Sequence, residues 1–306
     1  MKVLIIGATG LLGHTLYRRW SARRGWEVVG TRLSLALGGL RRFDLLEAGA
    51  ASALMREARP DAVVLPASNP HVDHCETHPD ETRRLNVDAT LAVAHEAREL
   101  GARFVFFSSD YVFDGGMDSY REEDEPRPLN EYGRQKLAVE RELAGMGAGA
   151  LVLRLSGLFG WELRPKNFVV RLLKELGQGR RVRVASDQYY NPTYAQDVAA
   201  VLAELLESGA SGVFHAAGSE RFTRAGWARA VADVFGLDAS LLDAVPAEAF
   251  ASPRTAKRPG SSSLDCAKAA GLLGAPLPGG RRGLERMLAS RAQWEAYAAG
   301  LKESMS

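Results

Sequence analysis

Directly after the apolar run Lys2–Ile6 the chain reads Gly7-Ala8-Thr9-Gly10-Leu11-Leu12-Gly13, and the helical period that follows passes through Tyr17 and Trp20. Glycines at such a junction let the backbone turn sharply and approach a pyrophosphate, whose charge is met by the helix N-terminus. Strand, turn and helix arriving in this order commit the segment to the first βα unit of a dinucleotide-binding sheet. Gly7, Thr9, Gly10, Leu11, Leu12 and Gly13 are the expected cofactor cradle.

The rest of the first half agrees. Apolar runs at Lys2–Ile6, Glu27–Gly30, Ala62–Leu65, Arg103–Phe107 and Ala150–Leu155 read as buried strands separated by amphipathic segments. Strands apolar on both faces call for helices on both sides, which gives an α/β fold with a doubly wound parallel sheet of Rossmann type. After Leu155 the rhythm loosens. A helix is predicted over Asn167–Leu176, a short strand at Val182–Ala185, a helix from Ala195 to about Glu207 and a late strand at Gly212–Ala216 that returns to the main sheet. From Ser219 helices dominate, broken by Ser252–Ser263. The expected division is a cofactor-binding domain of 1–155 plus about 193–217, and a smaller discontinuous α/β substrate domain of about 156–192 plus 218–306. The smaller part then lies over the carboxyl ends of the strands, where such sheets bind ligands.

Composition narrows the function classes. Thirty-nine basic residues against 37 acidic give a formal charge of +2, so no global field collects on nucleic acid or an anionic membrane. An anionic ligand must be held locally. Cys75 and Cys266 are the only cysteines, too few for a disulfide framework, which points to a reducing, cytoplasmic setting. Gly7, Gly10 and Gly13 interrupt the opening run as no signal peptide does, and no later stretch has the apolar length of a membrane span.

At the end of the second strand, where an NAD site places a carboxylate against the ribose 2′-hydroxyl, the chain has Gly30-Thr31-Arg32. An arginine there pairs with a 2′-phosphate, so NADPH is the expected cofactor, with NADH the alternative. Arg32 is the leading clamp and Arg41 or Arg42 the substitutes; Asp44 and Leu45 flank the adenine edge.

Tyr132-Gly133-Arg134-Gln135-Lys136 places a phenol and an ammonium one helical turn apart on one face. The cation stabilises phenolate, and a phenol so tuned gives a proton to a carbonyl oxygen. The strand Arg103–Phe107 runs into Ser108-Ser109-Asp110-Tyr111, so hydroxyls emerge at a carboxyl-terminal strand end, where Ser109 polarises the same oxygen or simply caps the next turn. The catalytic set is Ser109, Tyr132 and Lys136, with Tyr132 and Lys136 also touching the cofactor.

These residues together resemble the extended short-chain dehydrogenase/reductase family, and within it the dTDP-4-dehydrorhamnose reductase (RmlD-like) branch, over nearly the whole chain. The GxxGxxG spacing of the glycine turn is of the short-chain type. The likeness is carried by Ser108 to Gly115, Pro128-Leu129-Asn130-Glu131-Tyr132-Gly133, Val72-Asp73 with Glu76, Asp187-Gln188 with Pro192-Thr193, and Arg258-Pro259 with Ser263-Leu264-Asp265. The resemblance implies reduction at C4 of a nucleotide-linked 4-keto-6-deoxy sugar. It places Ala67 and Ser68 against the cofactor and Val72, Tyr111 and Asn167 against the substrate. Three departures bear on the sugar: Arg154-Leu155-Ser156-Gly157-Leu158-Phe159 lacks the branch's tryptophan, Tyr189-Tyr190-Asn191 replaces a glycine-containing stretch, and Leu65-Pro66-Ala67-Ser68-Asn69-Pro70 is more proline-rich than its counterpart.

An epimerase or dehydratase of the same superfamily is the alternative among enzymes, although Ser109-Asp110-Tyr111 supplies one carboxylate where a dehydratase wants two. A cofactor-binding regulatory subunit, like that of methionine adenosyltransferase, is the alternative outside them. The cluster His71, His74, Cys75, Glu76 and His78 coincides with the branch's substrate-flanking loop, and no metal is expected there. Trp227 and Trp294 read as packing residues. The sequence does not fix the oligomeric state; helices flanking such sheets often pair across a two-fold axis, so a homodimer is one assembly open to the chain.

Overall fold

In the computed structural model, residues 1–147, 149–250, 252 and 256–305 are described, with side chains to 301. The predicted break at Ser252–Ser263 is therefore seen only in part, since 253–255 lie outside the described residues.

The first half builds β1 (Lys2–Ile5), α1 (Leu11–Ser21), β2 (Glu27–Arg32), β3 (Leu40–Arg42), α2 (Ala50–Ala58), β4 (Ala62–Leu65), α3 (Val72–Thr77), α4 (Pro79–Arg83), α5 (Thr90–Glu99), β5 (Arg103–Ser109), α6 (Glu131–Gly145) and β6 (Ala150–Leu155). One π-helical turn, Arg84–Ala89, joins α4 to α5. The second half adds β7 (Leu158–Phe159), α7 (Phe168–Gly177), β8 (Val182–Ala185), β9 (Tyr189–Tyr190), β10 (Thr193–Tyr194), α8 (Ala195–Glu207), β11 (Gly212–Ala216), β12 (Phe222–Thr223), α9 (Arg224–Phe235), β13 (Leu242–Val245), α10 (Ala267–Leu273), α11 (Gly280–Ala289) and α12 (Arg291–Met305).

Seven strands form one sheet in the order β11-β6-β5-β4-β1-β2-β3, with every pairing parallel. The strands are apolar on both faces because both are covered. Val3, Ile5, Val64 and Val105 face a core shared with α1 and α8, while Leu4, Ile6, Val63 and Phe104 face one shared with α2, α5 and α6. Trp20 of α1 is buried between these layers and donates its indole N–H to the Ala199 carbonyl of α8 at 3.1 Å. The late strand Gly212–Ala216 does return to the sheet, beside β6.

A third apolar cluster, around Phe159, Leu172, Tyr190, Trp227 and Leu284, joins α7, α9 and α11 beyond the sheet. Trp227 is fully buried there. The strand predicted at Val182–Ala185 forms, but its partner β13, sixty residues on in register at Leu242↔Val182, carried no recognisable pattern.

Candidate active site

The glycine turn divides its labour between packing and access. Gly7 has a φ of +102°, and a Cβ on it would stand 2.8 Å from the Ala67 Cβ; a Cβ on Gly13 would stand 2.1 Å from the Gly7 carbonyl oxygen. Both must be glycine for β1, α1 and β4 to close up. Beside Gly10 the nearest atom would be 3.9 Å away, and Gly10 caps α1 without any side-chain hydrogen bond. The first turn of α1 thus presents free amides to a small open space, which suits a pyrophosphate. Ala67, two residues past β4, packs against Gly7, and Ser68 follows it half-buried.

Arg32 ends β2 in register with Arg42. Its Nε is buried and has no hydrogen-bond partner, an orphan donor that a bound phosphate oxygen would satisfy. Arg41 is held by Glu57 at 2.6 Å. Asp44 accepts the Leu46 amide at 2.9 Å, and Leu45 packs onto the second core. Open amides and an unpaired guanidinium donor together fit a dinucleotide bearing a 2′-phosphate.

Helix α6 carries Tyr132 and Lys136 into contact with the end of β5. Asn130 caps it, accepting the Gly133 amide at 2.9 Å and donating to the Lys257 carbonyl at 2.8 Å. Losing such a cap costs about 1 kcal/mol. A Cβ on Gly133 would stand 2.1 Å from the Tyr111 carbonyl oxygen, so the helix rests directly on the turn after β5. The Tyr132 and Tyr111 rings consequently meet edge to face, centroids 6.2 Å apart.

The Lys136 ammonium donates to the Phe107 carbonyl at 2.9 Å and sits 5.6 Å from the Tyr132 ring centroid. Burial pulls its pKa down to about 8. Burial pushes the Tyr132 phenol up, the Asp110 charge adds to this, and the Ser109 hydroxyl pulls the other way. Ser109 does cap the turn, accepting the Tyr111 amide at 3.2 Å, while its own proton goes to Asp110 at 2.9 Å. Asp110 also accepts from Ser156 at 2.8 Å and Ser262 at 2.6 Å. Burial raises its pKa; the three hydroxyls oppose that. Ser156 ends the β6 segment and Ser262 lies far along the chain, and neither contact has a signature in local spacing.

Beside these groups opens a cleft of about 780 Å³ whose walls include Val72, Tyr111, Arg171, Arg183, Arg224 and Arg258. Asn167 caps α7: its side chain accepts the Val169 amide at 3.1 Å and donates to the Gly160 carbonyl and Glu162 at 2.9 and 2.8 Å. Its neighbour Phe168 lines the cleft. Arg171, Arg183 and Arg224 were missed by sequence reasoning, because isolated arginines have no motif; Arg258 entered it only as part of the family likeness. Arg258 is paired with Asp73 at 2.9 Å. In the histidine cluster the His74 and His78 rings stack at 4.4 Å, and Glu76 accepts the Glu131 amide at 2.7 Å.

The model of the RmlD substrate binding domain matches residues 1–293. The chain belongs to the RmlD family. Its seven-stranded parallel sheet is that of an extended short-chain dehydrogenase/reductase. Among RmlD-like relatives, methionine adenosyltransferase 2 subunit beta of Bos taurus is 35% identical over 274 residues, 87% of this chain and 81% of that one. The probable low-salt glycan biosynthesis reductase Agl14 of Haloferax volcanii is 34% identical over 288 residues, covering 91% and 94%. Among solved structures, the dTDP-4-dehydrorhamnose reductase of Bacillus anthracis in complex with NADP superposes with a TM-score of 0.86 at 25% identity, covering 94% of this chain and 99% of that one. No helix among the described residues is long and apolar enough to cross a membrane.

Proposed function

We propose that this chain reduces the keto group of a sugar carried on a nucleoside diphosphate, the 4-keto-6-deoxy class being the reference substrate, with NADPH as cofactor and NADH as the alternative. The carrying observation is the convergence of Tyr132, Ser109 and Lys136 at the end of β5 beside a cationic cleft. The cofactor is assigned to the 1–155 plus 193–217 part, the sugar to 156–192 plus 218–306, and the setting to the cytoplasm.

Gly7, Gly10, Gly13, Ala67 and Arg32 would hold the dinucleotide. When bound, its dihydronicotinamide supplies a hydride to the carbonyl carbon. The Tyr132 phenol gives its proton to the carbonyl oxygen, so that the carbonyl gains one hydride and one proton and becomes an alcohol. Lys136, charged at neutral pH, lies beside the ring on which negative charge is left. Ser109, held in place by the Tyr111 amide, turns its one proton from Asp110 to the carbonyl oxygen when that oxygen arrives.

The test is NADPH oxidation, followed by absorbance, with dTDP-4-keto-6-deoxyglucose and the epimerase step supplied. Turnover lost by about a hundredfold or more in Tyr132→Phe is expected. One second reading has specific support: the bovine relative is named as a subunit of another enzyme. Tight NADPH binding with no turnover of any keto sugar would overturn the reductase reading in favour of an accessory role.

A further inference from the structure

The sugar end of the cleft is built differently from what the resemblance implies. Gly157, with a φ of +52°, stands where the chain departs from the branch's tryptophan, and a Cβ on it would lie 2.4 Å from the Tyr190 ring. Tyr190 has therefore taken the room beside this turn, and it is buried. Over Tyr190 lies Arg224, the first residue of α9, its guanidinium carbon 4.7 Å from the ring centroid. Arg224 Nη2 donates to the Tyr111 hydroxyl at 3.2 Å, and the Tyr111 ring is the one that touches catalytic Tyr132.

A guanidinium carries five N–H donors, and this one has no carboxylate within ion-pair distance among the described residues. Arg258, its neighbour in the cleft, is committed to Asp73. Asp110, the carboxylate at the base of the site, has its oxygens occupied by Ser109, Ser156 and Ser262. Arg171 and Arg183 line the same cleft from α7 and β8; Arg183 is paired with Asp243 at 3.8 Å, which leaves Arg171 for a diphosphate. Arg224 thus feels the Asp110 charge but makes no ion pair with it, and its guanidinium is held on the Tyr190 ring and on the hydroxyl of Tyr111, whose ring meets the proton donor. Planar, bidentate recognition of a carboxylate is the task for which arginine is best suited.

We propose that Arg224, braced on Tyr190 and Tyr111, forms a carboxylate subsite at the sugar end of the cleft, so that the preferred substrate is a nucleotide-linked sugar bearing an acid group, of the hexuronate type. This rests on the sugar-nucleotide reading above and changes it at one position: a carboxylate stands at C6, where the 6-deoxy reference substrate has a methyl group.

Isothermal titration of the full chain loaded with NADP⁺ decides it, using UDP-glucose and UDP-glucuronate, which differ only in the carboxylate. The glucuronate is expected to bind at least about tenfold tighter, the worth of one charge-assisted hydrogen-bond pair. Arg224→Gln should shrink that gap to under twofold, and Arg224→Lys should keep part of it. Equal affinities in the wild type overturn the proposal without any variant. A variant that weakens both ligands alike overturns it too, since Arg224 would then be holding the diphosphate. If dTDP-4-keto-6-deoxyglucose is turned over while the two UDP-sugars bind equally, only the carboxylate subsite falls. If no sugar nucleotide binds or turns over, the sugar-nucleotide reading falls with it.

Discussion

Arg154 on β6 and Glu140 on α6 meet in a buried two-pronged ion pair, Nη2 to Oε2 at 2.7 Å and Nε to Oε1 at 3.0 Å. Arg154 is in register with Ser108 on β5, and Glu140 lies one turn beyond Lys136. The pair therefore clamps the helix bearing the phenol and ammonium to the strand beside the one bearing the serine. Both side chains are about 95% buried. Glu140→Gln or Arg154→Met, each leaving its partner stranded, should cost about 3–5 kcal/mol in urea unfolding. Glu140→Leu with Arg154→Met should recover most of that loss. A single variant as stable as the wild type would show that the pair does not hold α6.

Lys136 sets an alkaline limit. Its pKa in the folded protein is lowered to about 8, so the ammonium beside Tyr132 is present below that pH and lost as pH rises through it. Reduction rates should fall through pH 8, and Lys136→Arg, which stays charged throughout, should flatten the limb whatever its absolute rate. A wild-type profile level to pH 10 would remove Lys136 from the proton-transfer step.

Arg32 sets cofactor choice. Deleting a charge-assisted contact of about 1.5–3 kcal/mol should raise the KM for NADPH by about 10–100-fold in Arg32→Ala. The KM for NADH should stay within about twofold. If both cofactors suffer equally, the arginine is structural.

Gly157 and Tyr190 exclude one another. Gly157→Ala forces a methyl group against the ring in a backbone conformation that favours glycine and should cost about 1–3 kcal/mol. Tyr190→Ala opens a cavity of its own, costing about 3–5 kcal/mol. Made together, they should cost at least about 1 kcal/mol less than the sum. Strict additivity in a thermal or urea unfolding cycle would show that the two sites do not compete for the same space.

How much of this was legible in the sequence follows from how local each signal is. The glycine turn, β4, β6, α8 and β11 are each specified by a run of neighbours, and they formed where the periodicity put them. Tyr132 and Lys136 were legible because a single helical turn fixes their relation. Asp110 was seen only as a neighbour of Ser109: its hydroxyl donors at 156 and 262 are tens to more than a hundred residues away, and no spacing rule reaches that far. Arg224 stayed invisible for the same reason, since its meaning comes from Tyr111 and Tyr190. Asn167 was read as a substrate contact and its cap on α7 went unseen, because a helix cap and a ligand contact ask for the same side chain and the sequence does not say which it serves.

The three hydroxyls around Asp110 also time the assembly of the site. Ser109, Ser156 and Ser262 reach it from the end of β5, the end of β6 and the run before α10. A chain leaving the ribosome has its glycine turn and its phenol long before Ser262 emerges. Until then the carboxylate under the serine lacks one of its three anchors. Clipping the last fifty residues would take away more than that anchor, because Ala269 and Leu277 belong to the core of the sheet and Leu284 and Met287 to the third cluster, so completion of the site and completion of the cores wait for the same stretch of chain.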